Sequence, residues 1–405
     1  MSLAEIPAVL ILAGLAAYLA LAGADFGAGF WDLTSYVSGG AKVREHTKRA
    51  MAPVWEANHV WLVFVLVVCW TAYPTAFGSI FSTLAAPLLL AAIGIILRGT
   101  SYAARSAGHS PAASAVFSLS SIATPLALGA AIGAIASGRV PVGNAQGDLV
   151  ASWLNPTGVV IGVLAVATSA YVAAVYLAGD AERIESPELV RAFRARALGA
   201  GVVAGFLAVA GIVVVGLDAP ALFDGLTRGP GLAAVVVSAL CGVGTLALLW
   251  RARYESARFS AAVAVAAIVA GWGLAQAPEL LPGLTVDEAA AGRDTLVALL
   301  VGVAAGFAVL IPSLVLLFGL VLGGRFDQPP APPGPGGLRP IGPRLGHGRG
   351  PRIAVVGLLV VGTALMLLAD GPLFTIGVLS LLAFVAAAFA LLVSGDAVAG
   401  SHGPR

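Results

Sequence analysis

Long runs of apolar residues, separated by short polar segments, make up most of the chain. Nine such runs lie at roughly 6–33, 52–73, 77–98, 115–137, 157–178, 197–217, 231–250, 258–275 and 296–322. An α-helix needs about 20 apolar residues to cross a hydrocarbon core of about 30 Å. The pattern therefore predicts an all-α, polytopic membrane bundle with a nine-helix core in residues 1–322.

The remainder of the chain has a different pattern. Residues 323–352 are dense in Pro, Gly and Arg, and this composition opposes a helix because proline lacks an amide donor and glycine favours disorder. Two further apolar runs follow, near 353–369 and 372–393. We predict a cytoplasmic linker at 323–352 and an accessory transmembrane hairpin, a pair of helices, within 353–395.

Composition narrows the class of protein further. Apolar residues are 59% of the chain, the mean hydropathy is +0.97, and charged residues are only 10%, against about 25% in an average soluble domain. This balance excludes a water-soluble enzyme, a nucleic-acid binder and a disordered protein. The N-terminus has no Lys or Arg ahead of the first apolar run, so we expect a retained first helix instead of a cleaved signal peptide.

The distribution of basic residues predicts the orientation of the helices. If the N-terminus lies outside, the inside segments carry 19 of the 22 Lys and Arg residues, and the outside loops carry Arg139, Arg228 and Arg293. Cytoplasmic loops of membrane proteins are enriched in Lys and Arg. We therefore predict an outside N-terminus and a cytoplasmic C-terminus in a bacterial plasma membrane.

Three charged residues fall inside the predicted spans at a similar depth. Asp25 lies about 28 Å along the first helix, at 1.5 Å per residue, Glu56 lies about one turn into the second, and Arg98 ends the third. Charged groups within a membrane cost several kcal/mol, so they mark functional candidates. The sequence predicts a buried cluster of two acids and one guanidinium in the cytoplasmic third of the membrane.

Several neighbouring polar residues have more than one interpretation. Asp32 shares a helical face with Asp25, but we expect it to be a helix-end residue in the membrane interface. His59 is either part of the cluster or a packed polar residue. Arg98 is either the partner of the acids or an inside anchor whose side chain extends to the interface.

The polar and aromatic residues of the second helix are unusually dense. They comprise Trp55, Glu56, Asn58, His59 and Trp61. Of the five histidines only His59 lies within a span, and methionines are scarce, so the chain lacks the common axial ligands of haem iron. The sequence also has no motif for binding a nucleotide, zinc or flavin at a position where such a motif would function. The sequence therefore predicts no metal site in this chain.

These motifs resemble subunit II of the cytochrome bd-type quinol oxidases. The family's glycine-rich Asp motif is matched at 23–29, its Pro-x-Trp-Asp/Glu-x-Asn-x-Val-Trp-Leu motif at 53–62, and its arginine closing helix 3 at Arg98. The resemblance covers roughly 1–322. The chain departs from the family in having Gly23 where many members carry a second Asp, Glu56 in place of Asp, and the tail beyond residue 322.

The resemblance implies a function and a set of partners. The complex would oxidise quinol and reduce O2 to water, with two b-type haems and one d-type haem in subunit I, which forms a heterodimer with this chain. A small single-span subunit can accompany the pair. Protons would be drawn from the cytoplasm, with Glu56 as the main relay, Asp25 beside it and Arg98 tuning their charge. Trp55, Asn58, His59 and Trp61 would fix the geometry at the seam with subunit I.

Two other classes of protein are compatible with intramembrane acids. A proton-coupled secondary transporter would use Asp25 and Glu56 to bind a coupling proton and a small substrate. Transporters often contain internal repeats, and neither motif has a second copy here. A structural scaffold without chemistry would leave the cluster around Glu56 unexplained. We therefore expect an oxidase subunit that ligates no haem itself.

Overall fold

The computed structural model describes residues 2–37, 40–51, 55–107 and 111–322, with single residues and short runs between 354 and 387. The side chains of Trp55, Glu56 and Ala57 are not among those described. The chain divides into two compact units, Met1–Leu314 and Val315–Arg405. The predicted linker at 323–352 lies outside the described residues. The described positions of the predicted hairpin are single residues and runs of two or three, and they are helical.

Helices make up almost all of the described chain. In chain order the elements are α1 (Glu5–Val37), α2 (Ala41–Met51), α3 (Trp55–Ala72), α4 (Pro74–Thr83), α5 (Ala85–Ala107), α6 (Pro111–Ala136), α7 (Pro156–Arg183), α8 (Pro187–Asp218), α9 (Pro220–Thr227), α10 (Gly229–Trp250), α11 (Tyr254–Gln276), β1 (Glu279–Leu281), β2 (Leu284–Thr285), α12 (Val286–Ala289) and α13 (Arg293–Leu322). The prediction of an all-α bundle is confirmed, with one two-stranded hairpin added.

Seven of the described helices are long and apolar enough to cross a membrane, and the bent pair α4 and α5 would be an eighth span. The apolar part of α3, Asn58–Ala72, is shorter. Each of the nine predicted runs coincides with one of these helices or with the bent pair. The chain is therefore a multi-pass membrane protein, as its hydropathy pattern indicates.

The third predicted span is not a single straight helix. The run at 77–98 was expected to form one helix ending at Arg98, but α4 and α5 meet at a bend of 83°. Pro87 is the third residue of α5, where its ring would clash with the carbonyl of the residue four positions earlier if the helix were continuous. The prediction was also wrong about the end of the span, because α5 continues to Ala107.

Proline and polar caps explain several other helix boundaries. Pro156 and Pro187 open α7 and α8, a position that proline favours because its fixed φ suits a helix and the missing amide would be unpaired anyway. The Asn155 side chain caps α7 by accepting a hydrogen bond of 2.8 Å from the Gly158 amide. These boundaries are therefore determined locally by the sequence.

Helix α1 lies at the centre of the first unit, where it packs against α3, α6, α7 and α11. Every residue from Ala22 to Gly29 is buried. Gly27 permits the closest approach, because a Cβ atom at this position would overlap the Ser169 carbonyl and lie 2.7 Å from the Ala173 methyl group. Close helix packing in membranes depends on such small residues.

Two acidic residues outside the membrane-spanning helices stabilise local turns. The Asp148 carboxylate accepts hydrogen bonds from the Val150 and Ala151 amides, and these bonds lower the pKa of Asp148. Glu288 and Thr285 form a capping box at the start of α12. Hydrogen bonds from the amide and hydroxyl of Thr285 likewise lower the pKa of Glu288, since they favour its charged form.

Candidate functional site

The buried segment of α1 carries an acid that meets an arginine from α5. Asp25 and Arg98 have side-chain exposures of 0% and 1%. Nε of Arg98 donates to Oδ2 of Asp25 over 2.9 Å, and Nη2 lies 2.8 Å from Oδ1. Nη2 also donates to the backbone carbonyl of Asp25 over 2.6 Å. The guanidinium therefore holds both the side chain and the backbone of this turn of α1.

The remaining nitrogen of Arg98 is bound by α6. Nη1 donates to the Ser121 hydroxyl oxygen, and the same hydroxyl donates to the Phe117 carbonyl. The guanidinium carbon lies 4.2 Å from the centre of the Phe117 ring and 5.2 Å from that of Phe26. Aromatic faces attract cations most strongly where water is excluded. Arg98 is thus enclosed by polar and aromatic groups of two helices.

Gly29 makes room for this arrangement. A Cβ atom at residue 29 would overlap the Ser121 hydroxyl and lie 3.0 Å from Nη1 of Arg98. The absence of a side chain at Gly29 therefore allows α6 and the arginine of α5 to approach α1.

The structure decides between the two interpretations of Arg98. The side chain is fully buried and does not extend to an interface, so the anchor interpretation is wrong. Helix α5 continues for more than two turns beyond it, which explains why Arg98 lies inside the bundle. Asp25 and Arg98 are therefore brought into direct contact by tertiary packing.

Asp32 also departs from its expected position. It was expected at a helix end in the membrane interface, but α1 continues to Val37 and Asp32 is only 2% exposed. Asp32 is therefore not the last residue of its helix, and neighbouring elements cover its side chain. Its position in the membrane interface stays a prediction. Asp32 lies on the same side of α1 as Asp25, two turns nearer the C-terminal end.

The polar residues of α3 face α1. The amide of Asn58 is buried and donates to the Leu21 carbonyl over 3.3 Å. The His59 ring meets the rings of Tyr18 and Phe26 edge to face, with centroids 5.9 Å apart in both pairs. Trp61 packs against the same aromatic group. The side chains of Trp55 and Glu56 lie outside the described residues, so their predicted contacts with Asp25 and with a partner stay predictions.

Sequence reasoning overlooked three residues of this site. Ser121 and Phe117 lie on α6, and Tyr18 lies on α1 two turns before Asp25. A signal for Ser121 was present, because the apolar span of α6 contains an unusual group of hydroxyl residues, Ser118, Ser120, Ser121 and Thr124, all of them buried. Tyr18 is a polar residue in the apolar part of α1, and it precedes Asp25 by seven residues.

Comparison with known proteins identifies the family. The family described as "Cytochrome bd terminal oxidase subunit II" matches residues 3–321, which is well over half of the chain. The chain belongs to this family. Its membership confirms the resemblance that the motifs of α1 and α3 indicated, and it makes the chain a component of an oxidoreductase complex of the cytochrome bd type.

A solved structure supports the same conclusion. The structure of bd oxidase from Geobacillus thermodenitrificans contains a chain that is 26% identical to this one, with a TM-score of 0.66. The match covers 81% of this chain and 100% of that chain. Among curated proteins, none matches this chain. The bd oxidase fold therefore extends over most of the described residues.

Family membership implies haem, so the described residues can be tested as ligands. The His46 ring nitrogen Nε2 lies 3.1 Å from the Leu177 carbonyl oxygen, and the ring packs against Phe193. His59 is enclosed edge-on by Tyr18 and Phe26. Within the described part of the chain, no three His, Cys, Asp or Glu residues are grouped so that they could hold a metal ion. The surroundings of His46 and His59, a backbone carbonyl and close aromatic rings, do not fit an axial haem site.

Proposed function

We propose that this chain is the subunit II of a cytochrome bd-type terminal quinol oxidase. In this proposal a haem-bearing subunit I oxidises quinol and reduces O2 to water, while this chain forms a heterodimer with it. A small single-span subunit can complete the complex. The family match over residues 3–321 and the likeness to a bd oxidase chain support the assignment.

We further propose that this chain contributes to the proton path from the cytoplasm. The observation that carries this proposal is the fully buried pair of Asp25 and Arg98. Burying two charges costs several kcal/mol per ion before their attraction is counted, and hydrophobic residues of similar size would pack equally well. A charged group retained inside a membrane bundle is therefore a functional candidate.

We propose a separate role for each charged residue of the site. Arg98 contacts Asp25 at both carboxylate oxygens, so the charge of Asp25 is compensated where it stands. Glu56, in the first turn of α3, is the proposed proton carrier, with Asp25 beside it and Arg98 tuning the charge of both. A carboxyl group in a low-dielectric site can pass a proton near neutral pH. Reduction of O2 to water consumes such protons.

The polar face of α3 is proposed to position the site next to subunit I. Asn58 and His59 hold α3 against α1. Trp55 and Trp61 would lie beside the interface between the subunits. The opposite face of α3 exposes apolar side chains of Val60, Val63, Val67 and Trp70. This exposed face suits contact with lipid or with another membrane subunit.

The distribution of basic residues supports the proposed orientation. Nineteen of 22 Lys and Arg residues fall on one side of the membrane by the parity of the spans, and that side is the cytoplasm in most membrane proteins. With the N-terminus outside, Asp25 and Arg98 lie in the cytoplasmic third. A proton path that starts in the cytoplasm would reach them first.

A proton-coupled secondary transporter is the second candidate function. One observation favours it: α4 and α5 form a broken helix, and discontinuous helices bind substrates in many transporters. These helices usually come in pairs from repeated halves, and one bent pair occurs among the described residues. Family membership favours the oxidase.

Replacing Glu56 tests the proposed function. In the purified complex, Glu56→Gln should slow quinol-driven O2 consumption about a hundredfold or more, because loss of a group that transfers a proton typically costs about that much. Haem content, measured from the absorption spectrum, should stay normal. Glu56→Asp should retain most of the activity, since it keeps a carboxyl group.

The matched control is Glu182→Gln, which changes an exposed glutamate at the end of α7 and should leave O2 consumption unchanged. Loss of haem in Glu56→Gln would make Glu56 an assembly residue. Purification of the chain without a haem-bearing partner would contradict the oxidase assignment and favour the transporter.

A further inference from the structure

Tyr18 is a buried polar residue that the proposed proton path has not used. It lies on α1 seven residues before Asp25, which is about 10 Å nearer the centre of the membrane at 1.5 Å per residue. Its side chain is 5% exposed and belongs to an aromatic and aliphatic cluster with Ala22 and Phe26. Its position continues the direction from the cytoplasmic end of α1 through Asp25.

Tyr18 packs against His59 and against the cluster that contains Phe26. Its hydroxyl is within range of the charges of Asp25 and Arg98. Its ring meets the His59 ring edge to face, with the centroids 5.9 Å apart and the planes at 76°. His59 in turn contacts Phe26, whose ring lies 5.2 Å from the guanidinium carbon of Arg98. Tyr18 is thus connected to the ion pair both along α1 and through the aromatic group.

The Tyr18 hydroxyl has no hydrogen-bond partner among the residues that the structure describes. Buried polar groups in proteins are nearly always hydrogen-bonded, and leaving one unpaired costs about 1–3 kcal/mol. Phenylalanine would fill the same space without that cost. The hydroxyl therefore remains available to bond a water molecule near the buried ion pair.

We propose that the Tyr18 hydroxyl is the proton-carrying position that follows Asp25 and Glu56 on the way to the centre of the membrane. This inference rests on the proposed function of the site. Because the hydroxyl has no direct partner among the described residues, water molecules carry the proton on both sides of it. The upstream acid gives its proton to a water molecule, which gives a proton to the phenol oxygen. The phenol O–H bond breaks as its proton passes to a second water molecule towards the membrane centre, so Tyr18 ends neutral and no electrons move.

The test is Tyr18→Phe in the complete oxidase complex, which removes one oxygen atom. We expect quinol-driven O2 consumption to fall about a hundredfold, at the lower end of the range for loss of a proton-transfer group, and the solvent deuterium isotope effect on that rate to rise. Haem content should be unchanged. Thermal stability should be equal or higher, because the variant removes an unpaired buried hydroxyl.

A control and a gentler variant accompany this test. Tyr171→Phe changes another buried tyrosine, which lies in the separate cluster around α7, and should leave both the rate and the isotope effect unchanged. Replacing Tyr18 by 3-fluorotyrosine keeps the shape of the side chain and makes the phenol more acidic. It should change the rate of O2 consumption without affecting assembly, so the proposal stays testable if Tyr18→Phe fails to assemble.

The outcomes separate this inference from the proposed function. Normal O2 consumption in Tyr18→Phe, or a slower rate with an unchanged isotope effect, would overturn the role of Tyr18 and leave a packing role. If Glu56→Gln is slow while Tyr18→Phe is normal, only the Tyr18 inference fails. If both variants keep full activity, the proposed proton path fails as well.

Discussion

The buried pair of Asp25 and Arg98 makes a quantitative prediction about stability. Arg98→Met would leave the Asp25 carboxylate in the bundle without its counter-charge. Two unit charges about 4 Å apart attract by about 4 kcal/mol at an effective dielectric constant of 20. Breaking a buried ion pair by removing one partner typically costs about 3–5 kcal/mol. Because both side chains are at most 1% exposed, solvent does not screen this interaction, and we expect Arg98→Met to cost about 4 kcal/mol.

The double variant distinguishes the pair from its two members. Asp25→Leu combined with Arg98→Met replaces both charges by apolar groups, and such replacements are often neutral or stabilising. Ser121 keeps its hydrogen bond to the Phe117 carbonyl, so no new buried donor is left unpaired. We expect the double variant to be within about 2 kcal/mol of the original protein, far less than the sum of the single costs.

The free energy of unfolding can be measured by titrating the purified complex with sodium dodecyl sulfate and following tryptophan fluorescence. The exposed pair of Lys42 and Glu188, 2.6 Å apart with side-chain exposures of 73% and 62%, is the control. Lys42→Met should cost less than about 1 kcal/mol, as surface pairs do. A cost below about 1 kcal/mol for Arg98→Met, or a double variant as unstable as both single changes together, would refute the reasoning.

Two further predictions concern Gly29 and the capping box of α12. Gly29→Val should destabilise the complex by about 1–3 kcal/mol through overpacking, because the valine side chain would displace Ser121 and Arg98. The control is Gly205→Ala, because a Cβ atom at residue 205 has no neighbour within 4 Å. This variant should have little effect in the same titration. Thr285→Ala should speed amide hydrogen exchange in residues 286–289 at neutral pH. Since the folded state lowers the pKa of Glu288, this turn is stabilised at neutral pH, and that stabilisation should be lost as the pH falls below about 4. Equal protection of the variant and the original protein at neutral pH would contradict the capping role.

The local and periodic features of this protein were predictable because they depend on neighbouring residues. Apolar runs of membrane length identified the helices, and prolines such as Pro156 marked where some of them begin. Rare residue types inside apolar runs identified Asp25 and Arg98 as candidates. The motif containing Glu56 and Asn58 indicated the family, because a long motif of rare residues is unlike the small-residue patterns common to all membrane helices.

The bend between α4 and α5 was missed because hydropathy does not report helix direction. Pro87 stands in an otherwise apolar run, and its effect on the chain depends on steric contact with the preceding turn. The burial of Asp32 was missed for a related reason. Hydropathy shows that the apolar run ends near Asp32, but it does not show that neighbouring helices cover the Asp32 side chain.

The sequence by itself determined that the chain crosses a membrane as a bundle of helices, which residues are too polar for that setting, and which family it belongs to. Only the tertiary structure decided which of these residues meet. Asp25, Arg98 and Ser121 come from α1, α5 and α6, and their contact depends on Gly29 allowing three helices to approach. Hydropathy and motifs record each helix separately, whereas an ion pair, an enclosed guanidinium and an unpaired tyrosine hydroxyl exist only once the helices are packed together.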